Sequence, residues 1–421
     1  MEQFLNYDYK MHPANIGIDY SFQGFISEKV LRNYLARAVT FANETEESVN
    51  LESTEYIRFI LNVGAKFIGR LTSPWVVSED EVSTHKGQQE FISLLHKYDP
   101  EIICEACIFE NVTKQINSIQ IPEYVFEAFG IPIEKRNFSY EKMLFPNKKY
   151  LNVFGDGSTP DITNRETQMY FYWRACNFID LGYEALHMGQ VHWMSERDSK
   201  FSCFSKVFKM VRAYAKKNAR RKMVLINAHT LGMYDENGNL LFDFNEWPVR
   251  GVEPEGSVPH TPEEYPQEMI LDVNDWEASD WRSCIFTKSK GGRTPSGWVC
   301  ESLPYLFELD NAGPPQIDKK DKPGFKSESC WGYDDISWFA NQKDEYRREW
   351  LNYAVDWICE NDPNGYFELP ARRTAFVTSY RNTYKYYAGR NDFGDEETIK
   401  EIFKNLREKR NKFITKAVLK D

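Results

Sequence analysis

The chain has 421 residues, 27% of them charged, and a net charge of −11. That length allows two or three domains of roughly 150 residues, or one long barrel. Its 11 Trp, 24 Tyr and 29 Phe exclude disorder as the main state, and it contains no run of about 18 apolar residues that would span a membrane. An acidic surface repels phosphate backbones, so no nucleic-acid partner is expected.

The segment IGIDYSF (16–22) reads as a first strand. Ser27 then opens a helix with Val30, Leu31, Tyr34, Leu35, Ala38 and Ala42 on one face. A helical stretch near 53–62 stops at Gly64, and AKFIGRL follows as a strand. The next helix, near 84–98, is stopped by Asp99-Pro100, and EIICEACIF (101–109) is the third strand. The lone C-x-x-C of Cys104 and Cys107 lies inside it, and residues three apart on a strand point to opposite faces. The pair is therefore expected to be neither a redox dithiol nor a shared metal site.

Thr163-Asn164-Arg165-Glu166 has the spacing of a capping box. Its helix runs to about Asp180 and closes at Gly182, before the strand YEALHM (183–188). A helix over roughly 199–218 ends in the basic run 216–222, where cations complement the helix dipole, and KMVLINA (222–228) is the fifth strand. Residues 233–244 read as a hairpin around Asn237-Gly238. A Pro/Glu-rich loop follows, and EMILDV (268–273) is the expected sixth strand, with no helix evident before it. YLFEL (305–309) is the seventh strand. A helix begins at Asp334 and Asp335, with Tyr346, Trp350, Ala354 and Ile358 in register. It breaks at Asn361–Gly365, and YFEL (366–369) is the eighth strand. A last helix carries Ile399, Ile402, Phe403 and Leu406.

Strand alternating with helix is the pattern of a parallel α/β sheet. The expected fold is an α/β, (β/α)8 TIM-type barrel with long loop insertions: one domain over 1–421, with insertions at about 130–162 and 232–300. An open doubly wound sheet is the alternative, but no glycine-rich phosphate loop follows any strand. The N-terminus shows no signal peptide and the eight cysteines are scattered, so a cytoplasmic location is expected, although a trimmed secreted chain would look the same.

Reactive groups in such barrels sit at the C-terminal strand ends. Those positions nominate Asp19, Arg70, Glu105, His187, Gln190, His192, Asn227, His229, Glu308, Asp310 and Glu368, with Glu110, Arg372 and Arg373 just beyond. Barrel interiors favour Val, Ile and Leu, and an unpaired buried carboxylate is costly. Single acids are explained by internal pairing, for instance with Arg70, but their recurrence at one end of successive strands indicates a polar pocket. Three of the seven histidines fall at the ends of strands four and five. Their spacing is poor for a metal site, and neither metal nor cofactor is expected. Trp75, Trp193, Trp247, Trp298 and Trp331 fall in expected loops or insertions. There they either stack on sugar rings or anchor the loops, and the stretch 378–387 offers a further aromatic wall.

These strand-end acids and this element order resemble the glycoside hydrolases of the large barrel superfamily. The resemblance implies a carbohydrate substrate, a nucleophile at Glu308, and an acid/base Glu after Asn at the end of strand four. This sequence has Gly189-Gln190 there, and Gln donates no acid proton. Glu105 or Glu368 is then the expected acid, with Asp310 replacing Glu308 if the register shifts. Asp19, Arg70, His187, Gln190, His192, Asn227, His229, Asp310 and Trp331 are expected to bind substrate. Two alternatives stand: a glycan-binding barrel without catalysis, and a metal-dependent hydrolase or isomerase using His187, His192 and His229 with Glu105.

Overall fold

The computed structural model describes residues 12–42, 49–77, 79–249, 251, 253–260, 264–271, 289–311, 334–377 and 382–418. Its strands are β1 (Ala38–Phe41), β2 (Phe67–Thr72), β3 (Ile103–Cys107), β4 (Ala185–His187), β5 (Leu225–Asn227) and β6 (Asn245–Pro248). Then come a two-stranded ladder of β7 (Gly292–Arg293) and β8 (Val299–Cys300), followed by β9 (Tyr305–Glu308), β10 (Gly365–Val377) and β11 (Asn382–Tyr387).

Eight of these strands lie side by side in the order β5-β4-β3-β2-β1-β10-β9-β6, every neighbouring pair parallel. The two edges meet through a parallel bridge between His229 and Glu246, backed by Glu246 N–H donating to the Ala228 carbonyl at 3.1 Å. The result is a nearly closed eight-stranded parallel barrel in a mixed α/β chain, consistent with a TIM-type barrel. Beyond the barrel rim β10 continues and pairs antiparallel with β11.

Several expected elements form where the residue pattern places them. The Ser27 hydroxyl accepts from Val30 N–H and caps helix Glu28–Leu35, and helix Leu51–Val63 stops at Gly64. Helix Ser202–Asn218 ends in Lys216 and Lys217. The Arg220 and Arg221 guanidiniums behind it hold Glu184 at 2.6 and 2.7 Å, so these two members of the basic run are structural. Tyr234 and Leu240 bridge across the turn at Asn237-Gly238.

Five expectations need correction. The helix expected from Asp334 is two, Asp335–Ala340 and Asp344–Asn361. Residues 16–22 are no strand: Asp19 accepts from Ser21 N–H at 2.9 Å in a local turn, Ile16 is exposed, and Tyr20 plugs the barrel floor. The first strand is Ala38–Phe41, which follows its helix so closely that Ala38 and Ala42 pass for helix positions. The sixth strand is Asn245–Pro248, not 268–273. Of that segment, Met269 and Leu271 lie against helix Asp344–Asn361, where Trp350 Nε1 donates to the Met269 carbonyl at 2.8 Å; residues 272 and 273 lie outside the described residues. Residues 228–244 join β5 to β6 without a helix. The capping box does not close: Thr163 bonds Asp161 at 2.7 Å, and Glu166 pairs with Arg136 at 2.7 Å.

Side chains alternate in and out along each strand. Val39, Ile68, Cys104, Leu186, Ile226, Trp247, Phe307 and Phe367 face outward into the main core beneath the helices. Ala38, Phe67, Ile103, Ala185, Leu225, Phe244, Leu306 and Tyr366 face inward and close the floor with Tyr20, Val30, Leu31 and Tyr34. Two residues further along each strand, the inward layer becomes Thr40, Gly69, Glu105, His187, Asn227, Glu246, Glu308 and Glu368. All eight are buried.

Candidate active site

That second layer holds four glutamates and a histidine where barrels usually hold branched aliphatics. Each buried carboxylate costs several kcal/mol unless it is paired, hydrogen-bonded or protonated, and the site is built from these three compensations.

Arg70 supplies the first. It has φ of 55°, a conformation costly for a residue with a Cβ, and β2 slips register against β3 between Ile68 and Thr72. The slip turns Arg70 into the barrel, where strict alternation would send it outward. Its guanidinium contacts Glu308 and lies 3.4 Å from Glu246 and 3.9 Å from Asp310. Arg373 of β10 pairs with the other Glu308 oxygen at 2.7 Å and with Asn311 at 2.9 Å. Glu308 is thus clamped between two arginines. Burial disfavours the Arg70 charge, but Glu308, Asp310 and Glu246 outweigh it and hold the guanidinium firmly protonated.

His187 and Asn227 supply the second. The His187 Nδ1 lies 2.7 Å from Asn227 Oδ1, and Asn227 Nδ2 donates to Glu105 Oε1 at 2.5 Å. The other Glu105 oxygen accepts from Arg70 N–H at 3.1 Å. Burial disfavours the imidazolium of His187, yet Glu246, 3.3 Å away, raises its pKa. Burial likewise opposes the Glu246 charge, but His187 and Arg70 hold its pKa down to about 2.

Protons supply the third. Burial and then the Glu246 charge push Glu105 up to about 8. Burial, with Glu246, Glu308 and Glu105 around it, raises Glu368 well above the carboxylate range. Neither oxygen of Glu368, and neither of Glu246, has a hydrogen bond. Gly69 makes room for Glu368, because a Cβ on Gly69 would lie 1.7 Å from its Oε1.

Two sets of ligand atoms come within 4.8 Å of one another among the described residues: His187, His229 and Glu246, and Glu246, Glu308 and Glu368. Arg70 stands in the way of both. Its Nη2 lies 3.0 Å from His229 Nε2 and against Glu308, so a guanidinium already fills the place of a cation.

An aromatic shelf stands over the strand ends. Trp75 follows β2, Phe109 follows β3, Tyr150 and Phe154 belong to the longer excursion after it, and Trp193 follows β4. Trp75 lies 5.2 Å from Phe109 and 5.0 Å from Phe154, which stacks on Trp193 at 5.7 Å. Phe109 meets the His187 ring at 6.1 Å. Trp75 is 42% exposed and the other members are half-buried, so flat apolar faces reach solvent beside a polar well.

Arg70, Glu105, His187, Asn227, His229, Glu308 and Glu368 therefore converge, with Gln190 and Asp310 at the rim. Gln190 lies 3.0 Å from His229 Nδ1. His192 is not in the cluster; it bonds Thr230 at 3.0 Å and packs on Phe201. Asp19 is exposed, in the segment that crosses the barrel floor, because it is not on a strand. Trp247 is buried on the outer face, stacked on Tyr305. Trp298 sits at the floor, its Nε1 donating to the Ile26 carbonyl. Trp331 and residues 378–381 lie outside the described residues. Sequence reasoning missed Glu246, the residue most central to the charges. Its signal was present: Phe244-x-Glu246 repeats the apolar-x-Glu spacing of Leu306-x-Glu308 and Tyr366-x-Glu368.

No protein-family model matches the chain, and no curated protein matches it.

Proposed function

We propose that this chain is a carbohydrate-active barrel enzyme, a glycoside hydrolase whose nucleophile or base is Glu308. The observation that carries this reading is Glu308 clamped by Arg70 and Arg373 beneath the Trp75–Phe109–Trp193 shelf. Two guanidiniums hold the Glu308 carboxyl fixed and aimed, as a nucleophile or base requires. Aromatic faces stack on the C–H faces of pyranose rings, while Asn227, His187, Gln190 and Asp310 offer partners for hydroxyls. The segment 130–162 acts as an insertion that walls the sugar cleft and contributes Tyr150 and Phe154. Glu105 and Glu368 keep the layer neutral by holding protons beside Glu246 and Glu308.

The reading is tested by reducing-sugar release from a broad panel of oligo- and polysaccharides, with wild type and Glu308→Gln side by side. Release by wild type that disappears in the variant supports it. Release that persists in the variant removes Glu308 from the chemistry, and no release from any substrate overturns the hydrolase. A second reading, a barrel that binds glycans without cleaving them, is favoured by Gln190 at the place where the resembling family carries its acid. It gains if sugars raise the melting temperature while nothing is cleaved.

A further inference from the structure

Cleavage needs a proton donor on the far side of the anomeric carbon from Glu308. Glu368 is poorly placed: it pairs in register with Glu308 on the adjacent strand, so both carboxyls approach a ligand from one side. Glu105 has both oxygens engaged by Asn227 and Arg70. Strand β3, however, lies four strands from β9 in either direction around the ring. A group at the C-terminal end of β3 faces Glu308 across the mouth.

Glu110 is there, 4% exposed, immediately after the shelf residue Phe109. Its Oε2 accepts from Gln190 N–H at 2.9 Å. Gly189 has φ of 60°, and a Cβ built on it would lie 2.2 Å from the same Glu110 oxygen. The carboxyl thus fills the space that any side chain at position 189 would take. The two faces of His229 complete the arrangement. Its Nδ1 meets Gln190, whose backbone holds Glu110, while its Nε2 points to Arg70 and lies 3.7 Å from Glu308.

Resting on the glycoside-hydrolase reading above, we propose that Glu110 is the general acid/base, delivered from the end of β3 into the place vacated at Gly189-Gln190. In the first step Glu110 gives its proton to the glycosidic oxygen, the C1–O bond to the leaving group breaks, and a Glu308 oxygen bonds C1. In the second, the Glu110 carboxylate takes a proton from water, the water oxygen bonds C1, and Glu308 leaves as carboxylate. Burial also raises the Glu110 pKa from its ordinary value, the direction a general acid needs.

The test uses the full chain with 4-nitrophenyl and 2,4-dinitrophenyl glycosides of the common pyranoses, comparing wild type, Glu110→Gln, Glu105→Gln and Glu368→Gln. Glu110→Gln is expected to lose about 10²–10⁴-fold in kcat/KM on the 4-nitrophenyl substrate and far less on the dinitrophenyl one, whose leaving group needs no proton. Azide is expected to restore its turnover with a glycosyl azide as product, and the alkaline limb of the kcat/KM profile is expected to vanish. Azide rescue requires a folded site, so a misfolded variant cannot imitate it. Equal losses on both substrates without rescue, or rescue of Glu105→Gln or Glu368→Gln instead, overturn the assignment of Glu110 alone. A wild type inactive on every substrate, in this panel and in the reducing-sugar screen, overturns the hydrolase and this proposal together.

Discussion

Arg70 Nη2 of β2 lies 3.0 Å from Nε2 of His229, at the end of β5. A guanidinium only donates, so Nε2 accepts and the ring proton sits on Nδ1, 3.0 Å from the side-chain amide group of Gln190. One side chain from a strained residue therefore sets a histidine tautomer and clamps a carboxylate. Arg70→Lys keeps the charge but loses the fork, leaving buried acceptors unmet at a cost of about 1–3 kcal/mol. Arg70→Met leaves Glu308 to Arg373 alone and is expected to cost about 3–5 kcal/mol. Urea unfolding of both variants checks the ranking; equal losses would remove the charge from the explanation.

The polar layer makes stability depend on pH in a definite direction. The folded Glu105 pKa of about 8 lies above its unfolded value of roughly 4.5, so the folded state holds the extra proton and stability falls as pH rises through that window. His187, also raised, contributes stability that is full below roughly 6.5 and is lost as pH climbs through its folded value. Glu246, held at about 2, acts oppositely: its contribution is present above roughly 4.5 and is lost as pH falls toward 2. Glu105→Gln is expected to lower the melting temperature, because one of its two donors loses an acceptor, but also to flatten the decline between about pH 5 and 8. A slope unchanged from wild type would sink the assignment to Glu105.

Gly69 and Glu368 compete for one volume. Gly69→Ala places a methyl 1.7 Å from Glu368 Oε1 and is expected to cost about 1–3 kcal/mol by overpacking. Adding Glu368→Ala removes the obstruction, so the double variant is expected to be more stable than the sum of the singles. Additive losses in denaturant titrations would show that the two residues do not share that space.

Much of this architecture was legible because its signals are local. Strands two, three, four, five, seven and eight carry apolar runs bounded by helix stops, and their terminal acids nominated most of the site. β1 and β6 were not legible, for different reasons. Ala-Val-Thr-Phe is too short to separate from the helix before it, while Ile16, Ile18, Tyr20 and Phe22 alternate like a strand yet cross the barrel floor in a turn fixed by Asp19. Asn245–Pro248 follows a hairpin with no helix between, so no βα punctuation marked it, and Glu246 went unseen with it. Arg70 was visible as a strand-end cation, but its inward turn depends on a register slip that no periodicity encodes.

Chelation separates the arginine-filled site from a metal-filled one. With Arg70 in contact with Glu308 and 3.4 Å from Glu246, dialysis against EDTA is expected to leave the melting temperature unchanged. A bound dication present at 100 times its Kd would contribute about 2.7 kcal/mol, a shift easily seen. A fall on chelation that a divalent cation reverses would restore the metal-dependent reading.

The tryptophans divide by position rather than by type, and mutation can show it. Trp75 is exposed at the shelf, so Trp75→Ala is expected to leave folding stability within about 0.5 kcal/mol. On the proposed carbohydrate reading, it should weaken oligosaccharide binding by about 0.5–1.5 kcal/mol, up to roughly tenfold in Kd or KM. Trp298 closes the floor at the opposite end, packed with the cluster of Tyr20, Leu31 and Phe244 and bonded to the Ile26 carbonyl at 3.1 Å. Trp298 is half-buried there, so Trp298→Ala is expected to cost about 1.5–3 kcal/mol, with sugar affinity unaltered in the fraction that remains folded. Calorimetric binding and urea unfolding on both variants give four numbers. A Trp75→Ala protein that binds as tightly as wild type would take the shelf out of substrate recognition and leave the buried carboxylates without a sugar-facing wall.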